Sequence, residues 1–193
     1  STPPSEALKA LNESWNGTNW TEVGDLNTAR RLLAAGAGAD NTNALAIGGL
    51  ITASSALTES WNGSSWTETG DLNQARYQAG AVGINTASLA FGDPGSSPNY
   101  VAITESFNGS SWTEVNDLNT GRHALGGAGT YTAALGFGGN ADPSTAVTES
   151  WNGTNWTEVA DLATARQALG GAGTSTNALA FGGSTGSSSA ATE

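Results

Sequence analysis

His123 is the only histidine in the chain, and there is no cysteine. A zinc or copper centre draws on several nitrogen or sulfur ligands, so no metal site and no transition-metal chemistry is expected. The same shortage leaves no Cys nucleophile and no Ser–His–Asp set, and we expect no catalytic residues and no cofactor. Carboxylates occur in pairs, Glu59 with Glu68 and again at 13/22, 105/114 and 149/158. Two facing carboxylates are the machinery of glycoside hydrolysis. A catalytic pair is needed once, however, and this one is repeated, so the pairs read as solvated hairpin faces.

Other residue types point to binding. Asp25, Asp71, Asp117 and Asp161 each precede an arginine: Arg76, Arg122, Arg166 and, in the first copy, Arg30 or Arg31. Counting from the left favours Arg30 and counting from the right Arg31, as though one residue had been inserted. An anion could sit on such a ring of cations. The favoured reading is structural: the aspartates pin a turn, and each arginine pairs with a neighbouring carboxylate or carbonyl. If exposed, Trp15, Trp20, Trp61, Trp66, Trp112, Trp151 and Trp156 could stack on sugar rings. With Phe107 they serve better as core, since each indole buries about 150–250 Å². Tyr77, Tyr100, His123 and Gln167 fall in segments that vary between copies, and these are the expected ligand contacts.

The elements that must hold these residues follow from one repeated stretch, 59–68, which recurs at 13–22, 105–114 and 149–158. Asn-Gly between two β-prone runs is a strong hairpin signal. A two-residue Asn62-Gly63 loop would place Glu59 opposite Trp66. A four-residue loop would set Glu59 against Glu68, and like charges so placed repel; the shorter loop is therefore expected. Asn16, Asn19, Asn62, Asn108, Asn152 and Asn155 open Asn-x-Ser/Thr triplets, which read as turn chemistry rather than glycan sites.

The leading glutamate of each copy, with Glu193 as a fifth, is spaced by 46, 46, 44 and 44 residues. Each period holds four strand-like runs: a Gly/Ala-rich a, an Ala-Leu-Ala-Phe b, a Thr-Glu-Ser-Trp c and a Trp-Thr-Glu-Val d. A period near 45 residues with four short strands is a propeller-blade signature. Helix is nearly absent, the one candidate being 5–11.

The b strand ending in Gly-Gly, the hairpin with an aromatic before its turn and Trp after it, and the arginine opening the next unit together resemble the kelch repeat. That resemblance covers about 11–190. It implies an all-β propeller of four-stranded antiparallel blades, related to the central domain of galactose oxidase, though the Asn-Gly turn is shorter than the usual kelch one. The expected organisation is an N-terminal tail (1–11) and a propeller (12–193). Three blades fall at about 27–71, 72–117 and 118–161, and a composite blade joins 12–26 to 162–193. A four-bladed ring within one chain is favoured, because an a strand of glycine and alanine suits steep taper at the axis. Half of an eight-bladed homodimeric ring is the alternative.

Composition narrows the partners. The formal charge is −11, which repels phosphate backbones and anionic lipid, so neither nucleic acid nor membrane insertion is expected. The 27 glycines hold fixed places in the repeat, which separates the chain from low-complexity sequence. The expectation is a non-enzymatic binding or structural module with a protein or glycan ligand, extracellular or virion-associated. A carbohydrate-binding propeller lectin with repeated sites is the alternative.

Overall fold

The computed structural model describes residues 8–92 and 100–193. Among them there is no helix; the candidate at 5–11 lies partly outside, and 8–11 are not helical. Three four-stranded antiparallel sheets repeat in chain order. The first is β3 (Ala34–Asp40), β4 (Asn43–Ile47), β5 (Thr58–Trp61) and β6 (Trp66–Glu68). The second is β7 (Gly80–Ile84), β8 (Ala87–Phe91), β9 (Thr104–Phe107) and β10 (Trp112–Val115). The third is β11 (Gly126–Thr130), β12 (Ala133–Phe137), β13 (Thr148–Trp151) and β14 (Trp156–Glu158). A two-stranded hairpin precedes them, β1 (Asn12–Trp15) with β2 (Trp20–Val23), and another follows, β15 (Gly170–Gly173) with β16 (Ala178–Phe181). Within each sheet the strands pair in sequence order, as the a–b–c–d reading requires.

Successive sheets pack face to face, and three apolar clusters fill the spaces between them. One joins Leu45 and Ile47 to Ala81, Phe107 and Trp112; the next joins Val82, Leu89 and Phe91 to Leu125, Trp151 and Trp156. The third joins Ala128 and Phe137 to Leu169 and Ala180. The Phe91 and Trp156 rings meet across one such boundary at 4.9 Å and 60°. Glycine in the a strands permits the close approach. A Cβ on Gly171 would strike the Gly127 carbonyl of the neighbouring sheet and the Phe137 ring.

The hairpin register departs from expectation. Trp61 faces Trp66 and Glu59 faces Glu68, with four residues in the loop. The other c–d hairpins share this pairing. Asn62 acts at the start of the turn: its Oδ1 accepts hydrogen bonds from the Ser64 and Ser65 N–H groups at 2.9 and 3.0 Å, and Gly63 follows at φ 91°. The glutamates do not repel because Glu59 is buried and neutralised from another loop. The paired indoles, 5.4 Å apart, add a stabilising contact.

The composite sheet expected from 12–26 and 162–193 does not form within the chain, since β1–β2 and β15–β16 remain separate. The edge of β16 is instead met by the chain's own last residues. Phe181 bridges Thr192, and Ala180 and Glu193 exchange backbone hydrogen bonds at 2.8 and 2.9 Å.

Candidate functional site

Each unit carries one polar centre in an apolar frame. Arg30, Arg76, Arg122 and Arg166 sit in the loop before strand a and are buried. Arg30 Nη1 donates to Glu59 Oε1 at 2.5 Å, Arg122 Nη1 to Glu149 Oε1 at 2.5 Å, and Arg166 Nη1 to Glu193 Oε1 at 2.6 Å. Arg76 pairs in the same way with Glu105. Glu59, Glu105 and Glu149 are 0–1% exposed, so the reading of these residues as solvated is corrected; Glu68 and its equivalents are the exposed partners. The arginine of the first unit is Arg30, while Arg31 is exposed beside it. The extra length of that unit is absorbed further on in β3, where the register against β4 shifts twice.

The donor set explains how a carboxylate survives burial. Glu105 accepts from the Asn73 N–H at 2.7 Å, Asn73 Nδ2 at 2.8 Å, the Gln74 N–H at 3.3 Å and the Arg76 guanidinium. Asn73 Nδ2 also reaches the Trp112 carbonyl at 3.1 Å. Glu59 and Glu149 hold the same set. Burial pulls the Arg76 guanidinium below its ordinary value, and Glu105 opposes that shift. Every acceptor site is filled by the protein, so the centre is a staple tying the incoming loop to strand c, and a ligand has no opening there. The aspartates act nearby: Asp71, Asp117 and Asp161 accept from the N–H groups of Thr58, Thr104 and Thr148 at 3.0–3.2 Å.

The residue after each arginine is different in every unit: Arg31, Tyr77, His123 and Gln167. Their backbones are equivalent, because the next residue has a positive φ each time: Leu32, Gln78, Ala124 and Ala168 at 53–55°. Arg31, His123 and Gln167 bridge to Leu50, Asn140 and Ser184 of the b–c loop. Tyr77, His123 and Gln167 are half-buried. Tyr100, half-buried on the b–c loop of the second sheet, stacks on His123 of the third at 5.4 Å and 21°. Two of the four expected ligand contacts thus meet; Tyr77 and Gln167 hold equivalent places in other units. Of the 93–103 loop, 93–99 lie outside the described residues.

Two further features went unread in the sequence. The positive-φ residues form a chain of backbone hydrogen bonds across units: Gln78 N–H to Leu32 O, Ala124 N–H to Gln78 O and Ala168 N–H to Ala124 O, at 2.7–2.9 Å. Beside it lies a cavity of about 590 Å³ lined by the a strands of all four units and the residues just before them, including Leu33, Ala81, Val82, Leu125 and Ala172, with no charged side chain among the described residues.

The tryptophans resolve into two groups. Trp61, Phe107, Trp112, Trp151 and Trp156 are 1–5% exposed and belong to the core, and Trp66 is half-buried. Trp15 and Trp20 are 44% and 65% exposed. Stacking platforms for sugar, one in each unit, are therefore not presented by the indoles of the four-stranded sheets. Among the described residues no three His, Cys, Asp or Glu side chains gather where an ion could sit. No helix among them is long and apolar enough to cross a membrane. No protein-family model matches this chain, and no curated protein matches it in sequence.

Proposed function

We propose that this chain is a kelch-like propeller module with a non-enzymatic binding role, its ligand a protein or a glycan. Ligand contact falls on the rim that carries Tyr77, Tyr100, His123 and Gln167. The observation behind this reading is the contrast within one repeated position. The pairing of a buried arginine with a glutamate and the backbone turn recur in every unit, while the side chain between them changes from Arg31 to Tyr77, His123 and Gln167. Variable side chains on an invariant frame are how rigid scaffolds carry recognition. The stacked sheets, each with its Gly/Ala strand toward a shared cavity and its aromatic hairpin outward, support the propeller arrangement.

The test is a glycan array run beside a peptide-display selection on the intact chain. A hit weakened at least tenfold by Tyr77→Ala or by the Tyr100→Ala/His123→Ala pair, with unfolding midpoints unchanged, supports the rim. A ligand indifferent to all of these substitutions would place recognition elsewhere.

A further inference from the structure

We propose that the folded chain modifies itself at its c–d turns. Asn62, Asn108 and Asn152 lose their side-chain amides as ammonia, each passing through a cyclic imide to aspartate or isoaspartate. Such a reaction needs an unengaged nucleophile, an accessible amide and a place for the charge that develops on the amide oxygen. These turns hold all three. Asn-Gly pairs begin at 16, 62, 108 and 152 and nowhere else in the sequence, and both residues of each pair are exposed.

The nucleophile is the main-chain nitrogen of the glycine, which no side chain crowds. Among the described residues no acceptor takes the N–H of Gly63, Gly109 or Gly153, while the N–H one residue earlier bonds across the turn, Asn62 to the Ser65 carbonyl at 3.3 Å. The electrophile is the asparagine Cγ, and its oxygen sits between two donors. Asn62 Oδ1 accepts from the Ser64 and Ser65 N–H groups at 2.9 and 3.0 Å. Asn108 Oδ1 accepts from those of Ser110 and Ser111 at 3.0 and 2.9 Å, and Asn152 Oδ1 from those of Thr154 and Asn155, both at 2.9 Å. When Cγ becomes tetrahedral, the negative charge falls on that same oxygen, and a pair of fixed main-chain donors is what stabilises an oxyanion. The leaving nitrogen is loosely held: Asn62 Nδ2 lies 3.5 Å from Ser65 Oγ, and Asn108 Nδ2 3.2 Å from Ser111 Oγ.

The step balances with water as the only co-reactant. Solvent base removes the glycine N–H proton, the N–Cγ bond forms, and the Cγ–Nδ2 bond breaks as Nδ2 takes up a proton and departs as ammonia. Water then opens the imide. Opening at Cγ restores the main chain and leaves aspartate; opening at the asparagine carbonyl carbon routes the chain through Cγ and leaves isoaspartate. Aspartate keeps an acceptor for both N–H groups, now charge-assisted, so that product fits the turn. Each event adds one negative charge to a chain at −11. Antiparallel pairing puts the c–d turns at the sheet end away from the b–c and d–a loops, so this charge accumulates apart from Tyr77, Tyr100, His123 and Gln167.

Asn73 and Asn119 are exposed too, but closed to this route. The Gln74 N–H, which would be the nucleophile at Asn73, donates to Glu105, and Asn73 Nδ2 is held by Glu105 and the Trp112 carbonyl. Glu149 and the Trp156 carbonyl hold Asn119 Nδ2 in the same way, and Glu149 also takes the Thr120 N–H.

The test is to incubate the intact chain at mildly alkaline pH and map peptides by a method that separates aspartate from isoaspartate. We expect conversion at Asn62, Asn108 and Asn152 with Asn73 and Asn119 intact, faster as pH rises because the glycine nitrogen must lose its proton. Conversion only in urea-unfolded chain would overturn the proposal, since the folded turn would then protect its amide. Ser64→Pro removes one donor to Asn62 Oδ1 and should slow position 62 by about tenfold or more. Asn108 and Asn152 of the same variant should keep their rates, which reports an intact fold. An unchanged rate at 62 would overturn the part assigned to the two donors.

Discussion

Arg76 and Glu105 are both 0% exposed, and neither can lose its partner without leaving a charge in an apolar setting. Replacing one member of such a pair costs about 3–5 kcal/mol. Arg76→Met should therefore lower the urea-unfolding free energy by that amount, while Glu68→Ala, on the exposed side of a hairpin, should change it by less than about 0.5 kcal/mol. Equal effects would contradict the staple. Glu193 gives the pH-dependent case. The Ala163 N–H, with Arg166 adding to it, holds this carboxyl below its ordinary value of 4.5, against the opposing pull of partial burial. A lowered folded value means the stabilisation is full above 4.5 and lost as pH falls through the folded value. Protection of the Ala180 and Glu193 amides from hydrogen exchange, taken relative to the intrinsic rate at each pH, should thus be high near neutrality and fall on acidification below 4.5. A third case is an unmet donor. Trp66 Nε1 is buried with no partner, and the place filled by Thr58 for Trp112 is held here by Asn12. Asn12→Thr should supply that bond and raise stability by about 0.5–1.5 kcal/mol, read from the same urea curves.

Hairpins and a strands show where sequence reasoning reached and where it stopped. Asn-Gly located every c–d turn, because few other dipeptides accept the backbone angles a tight turn needs. It did not give the loop length. That choice turned on whether Glu59 would face Glu68 unneutralised, and the answer lay with Arg30, 29 residues earlier. Strand b was legible from its alternation of Leu and Phe with small residues, and the observed b strands contain all four expected runs. The a strands were legible as small-residue strands, but the reason for the smallness was not. Gly171 must be glycine because another sheet's backbone occupies the space of its Cβ. Gly171→Ala should then cost about 1–3 kcal/mol through forced displacement, despite alanine's better strand propensity, and thermal unfolding will show it. No cost would mean that the third and fourth units are not in contact.

Across the whole molecule the apolar clusters lie between units rather than within them, so stability is shared along the row of sheets. Phe91, fully buried between the second and third sheets, should cost about 3–5 kcal/mol on truncation to alanine. Phe181, its equivalent on the open edge, should cost less than about 1 kcal/mol in the isolated chain, because so much of it is already in water. The repeat, the strand order and the aromatic hairpins were determined by the sequence alone, since turn chemistry and side-chain alternation are local properties read over a few residues. The burial of Glu59, Glu105 and Glu149, the stacking of Tyr100 on His123 and the failure of the terminal half-sheets to meet were decided only by the tertiary structure. Each depends on the angle and distance between units, and those quantities are summed over many contacts far apart in the chain.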